Sequence, residues 1–268
     1  MAAPPPRNPA ADRRAWFFNG FRDHYLPRKL RKHFSAVRLA KGGAAIPPTG
    51  PLVVAMNHPG WWDPLVACEL SRRFPPGTEH FGAIDRDALA VYPFFGKLGL
   101  IGVDAGGVRG AAGFLRAATT LLEKPHRAFW ITAQGEFADV RRRPLVLRPG
   151  VGHLAARLPA GFVLPVALEY VFWDESRPEA LVRVGDPLPV GGGPNSRAWT
   201  ARVEAALTAT LDALSADAVT RDPARFETLV GGRTGVGGAY DLVRRAKALA
   251  TGRRFVAGHA AAVTEAAR

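Results

Sequence analysis

The sequence predicts an α/β fold: a central mixed, partly parallel sheet flanked by helices, with an N-terminal basic amphipathic interfacial helix and a helical C-terminal tail. Three observations predict it. Short apolar runs typical of buried strands alternate with segments of helical periodicity. A chain of 268 residues with 47% hydrophobic content is long enough to bury a full core. A segment rich in aromatic and basic residues lies ahead of the first predicted strand.

The predicted elements follow one another in alternation along the middle of the chain. The strands are expected at 52–56, 80–84, 100–103, 127–132, 162–173 and 180–185, and the helices at 64–74, 111–124 and 150–158. Such alternation favours helices packed against a sheet whose strands are in part parallel.

Composition divides the chain into four parts. The proline-rich residues 1–12 predict a disordered N-terminus, and residues 13–41 predict a helical segment at a membrane interface. The linker "KGGAAIPPTGP" then leads into residues 50–190, the predicted α/β core. A second break, "PVGGGPNS", precedes residues 195–268, which we expect to form a helical extension packed on the core.

The N-terminal segment interleaves aromatic and cationic side chains, as in "RRAWFFNGFRDHYLPRKLRKHF". This pattern is typical of a helix lying in a lipid interface, with a break expected near Pro27. The alternative is an ordinary amphipathic helix packed on the core with a solvated basic face. The net charge of +13 indicates an anionic partner, and we expect an anionic membrane surface. Nucleic acid is not expected, because no zinc-ligand spacing or aromatic RNA-binding motif accompanies the charge.

Cysteine use and hydropathy bear on the compartment. Cys68 is the only cysteine, so no intrachain disulfide is possible, and we expect its thiol to pack in the core of a protein on the reducing side of a membrane. The first residues lack the apolar stretch of a signal peptide, and no later run reaches the ~18 apolar residues of a spanning helix. The expectation is a peripheral or monotopic protein at the cytoplasmic face of a membrane.

The stretch "AMNHPGWWDP" places His58 and Asp63 five residues apart between a predicted strand and a predicted helix. A strand-to-helix turn can fold His58 back over the start of the helix, where we expect Asp63 at the N-cap and Pro64 at the first helical position. A carboxylate accepting the Nδ1–H of His58 leaves Nε2 free as a general base for a hydroxyl. The alternative is that Asp63 merely caps its helix while His58 fills the turn.

The sequence contains its own control for this spacing. "HFGAID" places His80 and Asp85 at the same separation, but within a predicted strand. Positions i and i+5 of a strand point to opposite faces, so this second pair cannot meet. We therefore expect a structural role for His80.

Around His58 and Asp63 the chain resembles the membrane-associated glycerolipid acyltransferases, the lysophosphatidate acyltransferase-like superfamily, whose first motif is N-H-x-x-x-x-D after a strand. Residues 80–107 are similar to the family's second block, 129–155 to the third, and 163–170 to the fourth. The blocks follow in family order across residues 50–190, so the resemblance is more specific than any single motif and implies an acyltransferase core there.

The resemblance also implies roles for single residues. His58 is expected to deprotonate the acceptor hydroxyl, and Asp63 to orient and support the imidazole. Backbone N–H groups near Gly60 or near Gly135 are candidate donors to the oxyanion. The residues expected to bind substrate are Asn57, Gly60, Gln134, Gly135, Glu136, Arg109 and Arg148.

Departures from the family pattern concern the acceptor's phosphate. Where the family has E-G-T-R, this chain has Gln134 in place of the glutamate and Phe137 in place of the phosphate-binding arginine, and Ala105 stands where the second block carries arginine. Compensating guanidinium groups are offered by Arg109, Arg141, Arg142, Arg143 and Arg148. The alternatives are that these arginines form a solvated basic face against the bilayer, and that Glu136 is a surface carboxylate rather than a ligand of an acceptor hydroxyl.

The predicted function is transfer of a fatty acyl group from acyl-CoA or acyl carrier protein to a lipid hydroxyl, with 1-acyl-glycerol-3-phosphate or another lysophospholipid as the acceptor. No metal or redox cofactor is expected. A phosphate-free acceptor, such as a glycolipid or carotenoid glycoside, is the alternative motivated by the missing arginines. Two alternatives lie outside this enzyme class: a non-catalytic membrane-binding relative, suggested by Gln134, and a nucleic-acid-binding protein, suggested by charge alone.

Overall fold

The computed structural model describes residues 12–103, 108–192 and 195–232. Within these ranges nine strands form one sheet. The strands are β1 (Ala36–Ala40), β2 (Leu52–Met56), β3 (Glu79–Asp85), β4 (Leu100–Val103), β5 (Arg127–Thr132), β6 (Gly161–Val171), β7 (Glu179–Val184), β8 (Leu188–Val190) and β9 (Phe226–Gly231). Their order is β4-β3-β5-β2-β6-β7-β1-β9, and β8 pairs with β6 beside this path.

Helices cover both faces of the sheet. They are α1 (Ala15–Gly20), α2 (Leu26–His33), α3 (Asp63–Leu70), α4 (Arg86–Val91), α5 (Phe94–Lys97), α6 (Val108–Leu121), α7 (Gly150–Arg157) and α8 (Ser196–Val219). A π-helical turn, Phe21–Tyr25, joins α1 to α2, and short 3-10 turns lie at Ser71–Arg73 and Pro223–Arg225.

The sheet is mixed, as the alternation of elements predicts. Strands β4, β3, β5, β2 and β6 run parallel to one another. Parallel neighbours need long crossovers, which α3, α6 and α7 supply. At the other side of the sheet, β7 pairs antiparallel with β6, β1 pairs parallel with β7, and β9 pairs antiparallel with β1.

Strand β2 lies in the middle of the core, and all five of its residues are buried. Val53 and Ala55 belong to the apolar cluster that includes side chains of α6, α7 and α8. Leu52, Val54 and Met56 belong to the cluster formed with α2 and α3. The unbroken apolar run of β2 therefore follows from helices on both faces of a parallel sheet.

The N-terminal segment is helical only in part. The helices end at His33, and residues 36–40 of the predicted helical segment 13–41 form strand β1 instead. The break predicted near Pro27 is wrong, because the helical path continues through Pro27 directly after the π-helical turn. Leu26 and Leu30 are fully buried, so the apolar face of α2 packs on the sheet.

The C-terminal extension contains a long helix, as predicted, followed by a strand that was not predicted. Helix α8 packs on the sheet through Trp199, Val203 and Leu207, which are buried. After it the chain returns to the sheet as β9 and pairs with β1. The predictions for residues 1–11 and 233–268 lie outside the described residues.

No helix in the described ranges combines the length and the hydropathy that crossing a bilayer requires.

Candidate functional site

The candidate site lies at the carboxyl ends of three adjacent parallel strands, β5, β2 and β6. Strand β2 ends at Met56 and is followed by Asn57 and His58, while β5 ends at Thr132 and is followed closely by Gln134. Ligands of open α/β sheets bind at this end, because the loops after parallel strands converge there. The topology thus brings the first and third motif blocks together.

The side chains of His58 and Asp63 are in hydrogen-bonding contact, as predicted from the strand-to-helix turn. The His58 Nδ1 atom lies 2.6 Å from Asp63 Oδ2. The Asp63 side chain is completely buried, whereas 18% of the His58 side chain is exposed. A buried carboxylate bonded to a partly exposed imidazole leaves the other ring nitrogen available to a substrate.

Two further donors hold the Asp63 carboxylate. The Gly60 N–H donates to Oδ2 at 3.1 Å, and the Tyr170 hydroxyl donates to Oδ1 at 2.6 Å. A carboxylate only accepts hydrogen bonds, so this network assigns the Nδ1 proton to His58 and leaves the Nε2 lone pair free. Burial, and then the Asp63 charge, raise the pKa of Tyr170 well above its ordinary value, so the phenol remains a donor.

Asp63 differs from its predicted place at the N-cap of α3. The helix begins at Asp63 itself, Trp62 is the N-cap, and no side chain caps this end. The carboxylate is turned back toward the loop because His58, Gly60 and Tyr170 occupy its oxygens. The alternative reading of Asp63 as a simple helix cap is therefore wrong.

Asn57 is buried within the sheet, although it was predicted to bind substrate. Its amide nitrogen donates to the Leu168 carbonyl at 2.8 Å, and its amide oxygen accepts the Leu168 N–H at 2.8 Å. With 1% of its surface exposed, Asn57 extends the pairing of β2 with β6 by one position. The side chain holds the start of the His58 turn.

Gln134 fixes the backbone of His58 from the loop after β5. Its side-chain oxygen accepts the His58 N–H at 2.9 Å, and 6% of the residue is exposed. A second bond, from the Ala138 N–H to the His58 carbonyl at 2.9 Å, fastens the same loop. The Gln134 amide oxygen thus accepts this backbone N–H without carrying a charge.

Gly135 and Arg148 lie against each other. Gly135 has a φ of +69°, and a Cβ there would come within 2.8 Å of Arg148 Cγ. Both the backbone conformation and the close side chain therefore require glycine. The Arg148 side chain is exposed, and it has no hydrogen bond or ion pair to the described part of the chain.

The other predicted phosphate ligands are mostly engaged by carboxylates. Arg141 pairs with Asp139, whose pKa its hydrogen bonds hold below the ordinary value. Arg143 pairs with Asp212. Arg142 Nη1 lies 3.6 Å from exposed Glu136, which places this carboxylate on the surface as one alternative had it. The Arg109 side chain and Ala105 lie outside the described residues.

The two glycine N–H groups named as oxyanion donors already donate within the fold. The Gly60 N–H bonds to Asp63, and the Gly135 N–H donates to the Thr132 carbonyl at 3.0 Å in a tight turn. The N–H groups of Gly60 and Gly135, which the sequence offered as oxyanion donors, are therefore used to form the two turns. Neither group is placed to bind an oxyanion in this conformation.

An apolar cavity of about 120 Å³ opens beside the buried carboxylate. Asp63 contributes to its wall, and apolar side chains make up most of the rest. They include Phe18 and Phe21 from the N-terminal segment, Ile131 from β5, and Leu98. The cavity therefore joins the N-terminal segment to the candidate site.

His80 and Cys68 line this cavity as structural side chains, as expected for both. The Trp130 indole N–H donates to His80 Nδ1 at 3.1 Å, and burial lowers the pKa of His80 to about 3. Asp85 instead caps α4, so the control pair does not meet. Burial raises the pKa of the Cys68 thiol to about 12, which keeps it protonated and unreactive.

Two site residues received no role from the sequence. Tyr170 lies in the fourth motif block, but nothing in its local pattern indicates a partner at Asp63. The Phe137 ring lies 4.5 Å from the His58 ring, and 61% of the Phe137 residue is exposed. In the sequence Phe137 stands out only as the residue in place of an arginine, whereas in the structure its ring contacts the imidazole.

Comparison with known proteins finds similarity at the level of the fold. No protein-family model matches the chain, and no curated protein matches it in sequence. Among solved structures, the fold is similar to 1-acyl-sn-glycerophosphate (LPA) acyltransferase, PlsC, from Thermotoga maritima, with a TM-score of 0.53 and 16% sequence identity. The match covers 74% of this chain and 80% of that chain. At this identity the likeness concerns the fold.

The hydrogen bond from His58 to Gln134 can be tested by stability. Gln134→Leu leaves the His58 N–H without its acceptor, so we expect the free energy of unfolding to fall by about 1–3 kcal/mol. Urea denaturation measures it. Glu136→Gln on the same loop is the matched control and should stay within ~0.5 kcal/mol, because that side chain is exposed. Equal stability of the wild-type protein and Gln134→Leu would contradict this role.

Proposed function

We propose that the protein is an O-acyltransferase that moves a fatty acyl group from a thioester to a lipid hydroxyl. One observation carries the proposal: His58 bonds through Nδ1 to buried Asp63 and keeps Nε2 free at the carboxyl edge of the sheet. The fold likeness to PlsC and the order of the motif blocks support the same conclusion.

The chemistry follows from the assigned tautomer. His58 Nε2 takes the proton of the acceptor hydroxyl while the oxygen attacks the thioester carbonyl and a C–O bond forms. Asp63 stabilises the imidazolium that results. The tetrahedral intermediate collapses with cleavage of the C–S bond, and His58 returns the proton to the departing thiolate. Each proton is accounted for by the imidazole, so the proposed reaction uses no metal or redox cofactor.

The apolar cavity offers a place for the acyl chain beside the reacting groups. Its wall combines Asp63 with side chains such as Phe18, Ile131 and Leu98. Burying hydrocarbon against such a wall is favourable by about 0.8 kcal/mol per methylene group. Either acyl-CoA or acyl carrier protein satisfies the chemistry as donor, because the thioester is common to both.

The general base is tested by His58→Ala. Loss of proton transfer should reduce kcat by about 10²–10⁴ or more. Thiol release from an acyl-CoA measures the rate, and circular dichroism verifies the fold. His126→Ala is the matched control, since this exposed histidine precedes β5 at the opposite end of the sheet and should retain full activity. Near-normal turnover by His58→Ala would refute the mechanism, whereas a wild-type protein inactive on every acceptor would favour a non-catalytic relative.

We propose a lysophospholipid, with lysophosphatidate first, as the acceptor. The phosphate then needs a cation, and Arg148 is the exposed arginine beside Gly135 whose guanidinium is not paired with a described carboxylate. Its planar donors suit a phosphate.

A phosphate-free alcohol is the second candidate acceptor. Phe137 covers His58 where the resemblance calls for an arginine, and Arg141 and Arg143 are paired with carboxylates. An exposed aromatic ring beside the base favours contact with a sugar ring or hydrocarbon over contact with an anion.

Arg148→Ala distinguishes the two acceptors. If the acceptor is lysophosphatidate, its KM should rise roughly 10- to 100-fold, the equivalent of one hydrogen bond to a charged group. Arg141→Ala serves as the control, because Asp139 already occupies that guanidinium. The same donor is offered with lysophosphatidate and with a neutral glycolipid. A preference for the glycolipid, together with no effect of Arg148→Ala, would establish the second candidate instead.

We also propose that the protein binds peripherally to an anionic membrane at its cytoplasmic face. Trp16 and Tyr25 are exposed on the N-terminal segment, by 72% and 52%. The cations Arg28, Arg31 and Lys32 are exposed on the same segment. Aromatic rings beside cations suit the interface of an anionic bilayer.

Vesicle sedimentation tests the membrane proposal. The protein should bind phosphatidylglycerol vesicles more tightly than phosphatidylcholine vesicles, and salt should weaken the binding. Trp16→Ser should weaken it about 10-fold, because the ring leaves the interface. Val219→Ser is the control, since this exposed residue belongs to α8 on the opposite face of the sheet. Equal binding to both kinds of vesicle would refute the proposal.

A further inference from the structure

We propose that Tyr170 is a positioning residue that acts on His58 through Asp63, as the outer member of a hydrogen-bonded chain from Tyr170 to Asp63 to His58. The inference rests on the proposed function, and it assigns a role to a side chain that neither spacing nor the motif blocks had singled out.

The first support is that the two oxygens of the Asp63 carboxylate accept hydrogen bonds from different donors. Oδ2 accepts from His58 and from the Gly60 N–H, whereas the Tyr170 hydroxyl is the donor that reaches Oδ1. The Asp63 side chain has no exposed surface, so its oxygens depend on donors within the protein. Without the phenol, one oxygen of a buried carboxylate loses its partner and the group is free to rotate.

The second support is that the Tyr170 ring is itself held in place. It stacks on Phe34, with ring centroids 5.8 Å apart and an interplanar angle of 28°. Phe34 is buried and also contacts Trp62, the N-cap of α3. A Cβ on Gly60 would lie 3.7 Å from Tyr170 Cε2, so the turn and the ring are in van der Waals contact. The hydroxyl is therefore aimed by packing on two sides.

The Tyr170 hydroxyl also affects how strongly Asp63 supports the His58 imidazole. A hydrogen bond from Tyr170 withdraws charge from Asp63, so the carboxylate stabilises the imidazolium less than an unbonded carboxylate would. Other ionisable groups around the pair are His33, which contacts Trp62, and Glu136 with Arg142 on the loop after β5. None of these bonds to Asp63. Removing the phenol should therefore strengthen the support that Asp63 gives to the imidazolium, and we expect the acidic limb of the rate profile to move to higher pH.

Tyr170→Phe tests the proposal, because it removes the hydroxyl and keeps the ring. We expect kcat to fall about 10-fold with little change in the KM of either substrate, the pattern of a lost interaction that matters in the transition state. The acidic limb of kcat/KM should move to higher pH by about half a unit to one unit. Tyr92→Phe is the matched control, because this tyrosine is exposed on the surface, and both quantities should stay at the wild-type values.

A double-mutant cycle with Asp63→Asn shows whether Tyr170 acts through Asp63. In the Asp63→Asn background, Tyr170→Phe should cost less than about 2-fold, since the carboxylate that it orients is gone. If Tyr170 had only a structural role, Tyr170→Phe would lower the melting temperature and leave the pH profile of the rate unchanged. An unshifted acidic limb, or an equal rate loss in both backgrounds, would overturn the proposal.

His58→Ala, measured alongside, keeps two failures apart. If His58→Ala is inactive and Tyr170→Phe behaves as the wild-type protein, the proposal for Tyr170 fails and the acyltransferase mechanism stands. If His58→Ala is active, the proposed function itself fails. Should Tyr170→Phe not fold, an ultraviolet titration compares the wild-type protein with Asp63→Asn. Tyr170 should ionise at higher pH in the wild-type protein, because the Asp63 charge and hydrogen bond add to the effect of burial on its pKa. Equal titration curves would overturn the proposal.

Discussion

The buried carboxylate of Asp63 is the interaction on which the candidate site depends. Removing an ion from water is costly, and it persists in a protein interior only when hydrogen bonds satisfy its oxygens. Here the donors come from three places: His58, the Gly60 backbone and Tyr170. The carboxylate therefore ties the turn after β2 to the start of α3 and to the end of β6. Loss of any one donor would disturb the orientation of the other two.

The parallel half of the sheet determines which loops can meet at this carboxylate. Strands β5, β2 and β6 are neighbours, so the segments after β5 and β2 leave the sheet side by side. Gln134 and Ala138 bind the His58 backbone on one side, and Asn57 binds the backbone of Leu168 on the other. A side chain placed on rigid strand ends needs little reorganisation during a reaction. The apolar cavity opens beside this arrangement, with Asp63 among the residues that line it.

The N-terminal segment has one buried face and one exposed face. Leu26, Leu30 and Phe34 are buried, and Phe34 contacts both Trp62 and Tyr170 at the site. Trp16 and Tyr25 are exposed, in company with several cations. The two sequence interpretations, packing on the core and lying at an interface, are therefore compatible, because a helix can bury one stripe and expose another. Through Phe34, packing of this segment on the sheet brings it into contact with the candidate site.

The sequence by itself determined the strands of the parallel core and predicted the pairing of His58 with Asp63 against a helix-cap alternative. Both depend on local signals: strand 52–56 is a continuous apolar run, and "PGWWDP" after it has the residues of a strand-to-helix turn. Only the tertiary structure decided that Asp63 faces away from the cap of α3, that Gly60 donates inward, and that Phe226–Gly231 forms a strand beside β1. Tyr170 is 107 residues from Asp63 in the chain. Its role follows from strand order, and contacts between distant segments leave no local periodicity in a sequence.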